Sequence, residues 1–99
     1  MEIKETKTNG VAVLSLSGRL DTNTAPQLHD VLERAIKFTD GAELDFAEVS
    51  YISSAGLRTL LLGEKQAKGL CKTMTLKNVS PEVMEVFEMT GFKDILTIV

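Results

Sequence analysis

The chain has little of the material with which proteins form disulfides, bind zinc or cross a membrane. It contains a single cysteine, Cys71, so neither a disulfide framework nor a cysteine-based zinc site can form within one chain. No apolar run approaches the roughly 20 residues that a membrane-spanning helix needs. The first ten residues are charged and polar, unlike those of a signal peptide. We therefore expect a cytoplasmic protein without a membrane partner.

Basic residues are also few, and they are not clustered. The 11 Lys and Arg residues are outnumbered by 14 Asp and Glu residues, and no two basic residues are adjacent. A nucleic-acid partner requires a concentrated basic surface, so we expect none. Only 5% of the residues are aromatic, so the core must be mainly aliphatic. A chain of 99 residues can bury one such core, and we predict one domain over residues 1–99.

The first half of the chain predicts a hairpin followed by a helix. Asn9-Gly10 separates two strand-like segments, and this dipeptide favours the tight turn of a β-hairpin. Apolar residues then recur at helical spacing over residues 25–38. Thr24 is the predicted N-cap of this helix, and Pro26 lies in its first turn, where a missing N–H costs little.

The middle of the chain predicts a strand, a helix and a further strand. The alternation in AELDFAEV predicts a strand of about five residues that contains Leu44 and Phe46. A second helix is predicted to begin at Ser54 or Ala55 and to be ended by Gly69. The segment CKTMTLKNV has the composition of a strand.

The last part of the chain predicts a third helix and a closing strand. Ser80 is the predicted N-cap and Pro81 the first helical residue. Gly91 is predicted to end the helix in the left-handed conformation, which would bring Phe92 into contact with Phe87. The final segment, DILTIV, is interpreted as a strand.

The predicted order of elements is therefore β-β-α-β-α-β-α-β. Strands that alternate with helices indicate an α/β fold with parallel, right-handed crossovers. The opening hairpin adds an antiparallel pair, so we predict a mixed β-sheet with helices packed against it.

No enzyme chemistry stands out in the sequence. The serine pair lacks the first glycine of a hydrolase nucleophile elbow, and nothing in the spacing places the single histidine, His29, over Ser54. Neither of the common phosphate-binding glycine motifs is present. Asp21 and Asp45 both lie near predicted strands, but two acids are a weak metal signal. We expect no catalysis, cofactor or metal.

The adjacent hydroxyls of Ser53 and Ser54 leave two interpretations open. Serine is a preferred N-cap, and in the first interpretation the pair serves only to begin the second helix. A helix N-terminus also favours negative charge, because its first N–H groups are unpaired and the helix dipole is positive there. A phosphate added to a serine at this point should leave the helix intact and act on a binding partner instead.

Three segments resemble the anti-sigma factor antagonist family, which is built on the STAS domain. They are Gly18-Arg19-Leu20-Asp21, AELDFAEVSYISSAGLRTLL and Gly91-Phe92, and the resemblance covers nearly the whole chain. Aligned on Gly56-Leu57, the family's phosphorylated serine falls on Ser54. The family aspartate falls on Ser53 and its second hydroxyl residue on Ala55, which leaves Ser54 as the better acceptor.

The resemblance implies a partner-switching protein that catalyses nothing itself. Unphosphorylated, it would bind an anti-sigma factor that is also a serine kinase, and so release the sigma factor. Phosphorylation of Ser54 would break that complex, and a PP2C-type phosphatase would restore it. The contact surface that we expect around Ser54 comprises Asp21, Thr22, Asn23, Ser53, Gly56 and Arg58. Gly56 would either allow a partner to approach closely or pack against a neighbour.

Two other functions remain open from the sequence. STAS domains also serve as permanent subunits of larger assemblies, such as a lipid-transport ATPase complex or a stress-signalling particle, and there the serine need not be modified. A small-molecule site at the strand ends is the third hypothesis, although no set of residues demands it.

Overall fold

Five strands and three helices follow one another in a computed structural model that describes residues 1–99. The strands are β1 (Glu2–Thr8), β2 (Val11–Leu20), β3 (Gly41–Ile52), β4 (Thr73–Lys77) and β5 (Thr97–Ile98). The helices are α1 (Ala25–Phe38), α2 (Ser54–Gly69) and α3 (Pro81–Thr90), and a 3-10 turn spans Phe92–Asp94. None of the helices is both long and apolar enough to cross a membrane.

The strands form one mixed sheet in the order β1-β2-β3-β4-β5. Strand β1 is antiparallel to β2, and every other neighbouring pair is parallel. The hairpin turn uses Asn9 and Gly10 at φ values of 53° and 83°, the positive φ pair that this dipeptide predicts. The α/β fold with a mixed sheet is therefore confirmed.

One face of the sheet carries the core. Two rows of buried side chains cross β2, β3 and β4 in register: Ala12, Ala42 and Met74, and next to them Leu14, Leu44 and Leu76. The alternate row of Ser15, Asp45 and Lys77 is exposed or half-buried. Because side chains alternate between the faces of a strand, the helices cover the buried rows and leave the other face to solvent.

Strand β3 is longer than its sequence predicts. It has 12 residues, whereas the alternating pattern suggests about five. Its pairing with β2 shifts register twice, between Ser15 and Ser17 and between Gly18 and Arg19, and each shift places an extra residue on β3. A bulge of this kind changes which residues face inward, so the period-two pattern ends while the strand continues.

Helix α2 ends at Gly69, as the sequence predicts, but Gly69 is not the left-handed residue. Gly69 is the last helical residue, and the left-handed conformation falls on Cys71, at φ 57°. The N–H groups of Leu70 and Lys72 both donate to the carbonyl of Ala67 and close the helix end.

Helix α3 begins and ends where its sequence predicts. The Ser80 hydroxyl accepts the N–H of Val83 at 3.3 Å, and Pro81 is the first helical residue. Gly91 is left-handed at φ 79°. Beyond it the chain forms the 3-10 turn and only the two-residue strand β5, because Leu96 N–H bonds back to the carbonyl of Phe92. A continuous closing strand over DILTIV is therefore wrong.

A carboxyl group is buried on α2. The residue Glu64 is only 5% exposed, and its Oε2 atom has no hydrogen-bond partner. Burial raises the pKa of Glu64, and the nearby Lys68 only partly offsets this effect. Ionised Glu64 therefore opposes folding.

Candidate functional site

The loop after β2 and the start of α2 lie side by side at one end of the sheet. The Ser53 N–H donates to the carbonyl of Leu20 at 2.9 Å and joins the ends of β2 and β3. Both strands are parallel, so this is the end of the sheet from which α1 and α2 depart. The juxtaposition brings Asp21 and its loop next to the serine pair, as expected for the carboxyl ends of parallel strands.

The two serines at the start of α2 have different roles. Ser53 is the N-cap, and its Oγ atom accepts the N–H of Gly56 at 3.4 Å. Ser54 is the first helical residue and is exposed. The N–H groups of Ser54 and Ala55 have no acceptor in the chain. Capping is therefore assigned to Ser53, while the Ser54 hydroxyl lies free beside unpaired N–H groups that favour a negative charge.

Gly56 packs internally, which is one of its two predicted roles. The residue is buried, and a Cβ atom placed on it would lie 2.7 Å from Leu20 Cγ and 2.9 Å from Ile52 Cγ1. The missing side chain thus lets α2 approach the strand ends closely. The alternative, in which Gly56 lets a partner approach, loses its physical reason because this position faces the core.

Asp21 holds its own loop together. Its Oδ1 atom accepts the N–H groups of Asn23 at 3.0 Å and Thr24 at 3.1 Å. Thr24 occupies the N-cap position of α1, as predicted, but its backbone angles are helical and its side chain makes no cap hydrogen bond. Its hydroxyl donates instead to the Arg19 carbonyl at 2.7 Å. Asp21 bonds the N–H groups ahead of α1 because this loop makes a turn before the helix begins.

The carboxylate of Asp21 stays ionised under ordinary conditions. Partial desolvation raises its pKa, but the hydrogen bonds from Thr24 and Asn23 and the charge of Arg19 outweigh it and hold the pKa below its usual value. Arg19 Nε lies 3.7 Å from Asp21 Oδ2, and its guanidinium stacks 4.1 Å from the ring centroid of Tyr51. The site therefore presents a fixed negative charge beside a stacked cation.

A groove between α1 and α2 runs away from the serine pair. Its volume is about 350 Å³. Two of the predicted contact residues, Thr22 and Arg58, line it, and both are exposed. Asn23 is exposed in the loop beside the groove but does not line it. The other lining residues are Ala25, Pro26, His29, Asp30, Ala55, Thr59 and Leu62.

The residues considered for enzyme or metal chemistry are not brought together. His29 is half-buried, and its Nε2 atom lies 3.1 Å from Glu33 Oε2, within its own helix. Asp45 accepts the N–H of Ala47 at 3.0 Å and the side-chain amide of Asn78 at 3.1 Å, and these bonds lower its pKa. No three His, Cys, Asp or Glu side chains converge as metal ligands would.

Sequence reasoning missed three features of the site. The stack of Arg19 on Tyr51 depends on the second register shift of β3, which the sequence does not reveal. The position of Leu62 in the groove is predictable from helical spacing. Residues at i and i+4 share a helix face, and Leu62 follows Arg58 at that spacing. His29 was considered only for catalysis, although it lines the same groove.

Comparisons with known proteins identify the family of the chain. A family model described as "Mlab, STAS domain" matches residues 3–98. BtrV of Bordetella bronchiseptica, provisionally described as an anti-sigma factor antagonist, is 34% identical over 99 residues, which cover 99% of this chain and 85% of BtrV. The anti-sigma-B factor antagonist of Listeria monocytogenes is 31% identical over 99 residues, covering 99% of this chain and 86% of that protein.

Solved structures agree in fold. The anti-sigma factor antagonist SpoIIAA in its unphosphorylated form matches with a TM-score of 0.77 and 20% identity, over 99% of this chain and 87% of that chain. The phosphorylated form of the Bacillus protein SpoIIAA matches with the same TM-score of 0.77 and 21% identity, over 99% of this chain and 91% of that chain.

Proposed function

Because the chain belongs to the STAS domain family, we propose that it is an anti-sigma factor antagonist that is switched by phosphorylation of Ser54. In its unmodified form it binds an anti-sigma factor and thereby releases a sigma factor for transcription. Two relatives that carry this functional name align over 99% of the chain and support the proposal.

One observation carries the switch. Ser54 is exposed at the first position of α2 and takes no part in the cap, which Ser53 makes alone. A kinase can therefore reach the Ser54 hydroxyl without breaking a hydrogen bond that holds the helix. Phosphate adds about −1.5 to −2 charge, and the free N–H groups at this helix end accommodate it, so the domain stays folded.

The phosphate acts on the partner because of where Ser54 lies. The loop of Asp21, Thr22 and Asn23 is on one side of it, and the exposed Arg58 is one turn further along α2. A partner that contacts both sides must bury the phosphate between them. An uncompensated buried charge costs several kcal/mol, and each ~1.4 kcal/mol is a factor of ten in affinity.

The proposed cycle has two enzymatic partners, and both act on this protein from outside. The anti-sigma factor is itself the serine kinase that phosphorylates Ser54, and a PP2C-type phosphatase removes the phosphate. If the domain were instead a permanent subunit of a larger assembly, Ser54 would stay unmodified and a negative charge there would not control binding.

The experiment is a binding titration with an anti-sigma factor kinase from the same organism. We expect the unmodified protein and Ser54→Ala to bind alike, and the Ser54-phosphorylated protein to bind about 100-fold more weakly. Incubation with the kinase and ATP should give a single phosphate that peptide mass spectrometry assigns to Ser54. The control is Ser53→Ala, which removes the neighbouring hydroxyl and should still be phosphorylated. Equal affinities of the phosphorylated and unmodified proteins would refute the switch.

A further inference from the structure

The groove between α1 and α2 continues the proposed contact surface away from Ser54. On its α2 wall, Ala55, Arg58 and Leu62 follow one another at helical spacing, so they form one line along the helix. Residue 62 lies eight positions after Ser54, which is about 12 Å along a helix axis. A partner that covers Ser54 therefore meets the open end of this groove.

Among the charged side chains that line the groove, Arg58 lacks an ion-pair partner. Arg58 is exposed and has no ion-pair partner within the chain, since the four ion pairs involve other residues. The imidazole on the opposite wall, that of His29, already lies 3.1 Å from the carboxylate of Glu33. Asp30 is the one acid that lines the groove, and it lies on the α1 wall. The α2 wall thus offers an unpaired positive charge.

Apolar surface lies beside this charge. Leu62 is 46% exposed, so its side chain is accessible to a partner that enters the groove. Ala25 and Ala55 add small apolar surfaces to the groove. A binding site that places one unpaired cation next to an exposed aliphatic side chain is complementary to an acidic residue flanked by an aliphatic one.

We propose that this groove receives a segment of the anti-sigma factor, in which an Asp or Glu side chain pairs with Arg58 and a neighbouring aliphatic side chain packs on Leu62. The inference rests on the proposed function and names the chemistry that the partner must supply. It also divides the surface into two parts: the Ser54 end responds to phosphorylation, and the groove supplies affinity and selects the partner's charge.

The test measures binding of an anti-sigma factor kinase from the same organism to matched pairs of variants. Arg58→Glu should weaken binding about tenfold or more, whereas Lys65→Glu, an equal charge change on an exposed residue of α2 outside the groove, should leave it within about twofold. Leu62→Ser should weaken binding about fivefold, and the equally exposed Leu70→Ser should not. Asp30→Asn should strengthen binding, because it removes an acid near the partner's acid.

Each outcome bears on the groove separately from the switch. If Arg58→Glu and Lys65→Glu weaken binding equally, only net charge matters and the groove is refuted. If Arg58→Glu strengthens binding, the partner's side chain is basic and the proposal is wrong. The same titration with Ser54→Asp reports on the proposed function alone, and absence of binding by the wild-type protein overturns both. Arg58→Gln, with thermal melts of all variants, replaces Arg58→Glu if the latter fails to fold.

Discussion

Helices α2 and α3 start at the same end of the sheet and have the same cap, but only α2 presents a free hydroxyl. Ser53 and Ser80 each accept the N–H three residues further on, at 3.4 Å and 3.3 Å. The next residue is the exposed Ser54 in α2 and Pro81 in α3. In α2 the cap and the candidate phosphorylation site are therefore on neighbouring residues. Ser54 can be modified while Ser53 still caps the helix.

The two helices also differ where they touch the core. Two positions after Ser54 and Pro81, α2 has Gly56 and α3 has Val83, and both residues are buried. Gly56 lets α2 lie against Leu20, whereas Val83 fills its space with its own side chain. Helices with equal caps thus pack on the core through different residues, a glycine in α2 and a valine in α3.

The largest effect is expected for Gly56→Val. The first added atom would lie 2.7 Å from Leu20 Cγ, with little room to move because Ile52 is 2.9 Å away on the same side. We expect the free energy of unfolding to fall by about 3 kcal/mol or more, measured by urea denaturation. The control is Gly69→Ala, whose added atom meets nothing within 4 Å and should be neutral or slightly stabilising.

Val83→Ala should have the next largest effect. It removes two buried methyl groups from α3 without adding a clash, so we expect a loss of about 2 kcal/mol in the free energy of unfolding. The half-buried Val86→Ala, on the same helix, should lose less than half of that. A larger loss at Val86 than at Val83 would contradict the assignment of Val83 to the core.

Glu64→Gln should change the pH dependence of the protein's stability. Only α2 offers such a test, because all acids of α3 are exposed. The pKa of Glu64 is raised in the folded protein above its ordinary value of 4.5. Below that value both states hold the proton and the two proteins should differ little. As the pH rises through it, the unfolded state ionises first, and the wild type loses stability. We expect the free energy of unfolding of Glu64→Gln, relative to that of the wild type, to be higher by about 1 kcal/mol at pH 7 than at pH 4.

The smallest effects should be those of the serines. Ser53→Ala and Ser80→Ala should each lower the free energy of unfolding by about 1 kcal/mol, since each removes one cap. Ser54→Ala should change it by less than about 0.5 kcal/mol, because this side chain caps nothing. Thermal denaturation followed by circular dichroism distinguishes these values. A loss at Ser54 as large as that at Ser53 would mean that the two roles are not separated.

Features set by local chemistry could be predicted from the sequence, and those set by distant partners could not. Asn9-Gly10, Ser80-Pro81 and Gly91 each require a particular backbone geometry, and the structure has it. The bulges of β3 depend on the register with β2, and the cap-like role of Asp21 depends on how its loop turns before α1. No local pattern carries that information.

The candidate site was predictable to a similar extent. The family resemblance pointed to Ser54, but the pattern of two adjacent serines could not say which one caps the helix. The internal packing of Gly56 and the groove that contains Arg58 and Leu62 both arise from contacts between separate elements. Some residues of the surface could thus be predicted from the sequence, whereas the shape of the groove depends on the packing of α1 beside α2.

The bulges of β3 have a consequence for the solubility of the folded protein. Pairing with β4 stops at Asp45, so the segment Phe46–Ile52 has no strand on that side. An open edge of this kind can act as a template on which another chain adds as a strand. Here the edge strand has two register shifts, and the Ala47 N–H already donates a hydrogen bond to the Asp45 side chain. Because bulges disturb the regular spacing of N–H and C=O groups, we expect this edge to pair poorly with a flat incoming strand and so to resist aggregation.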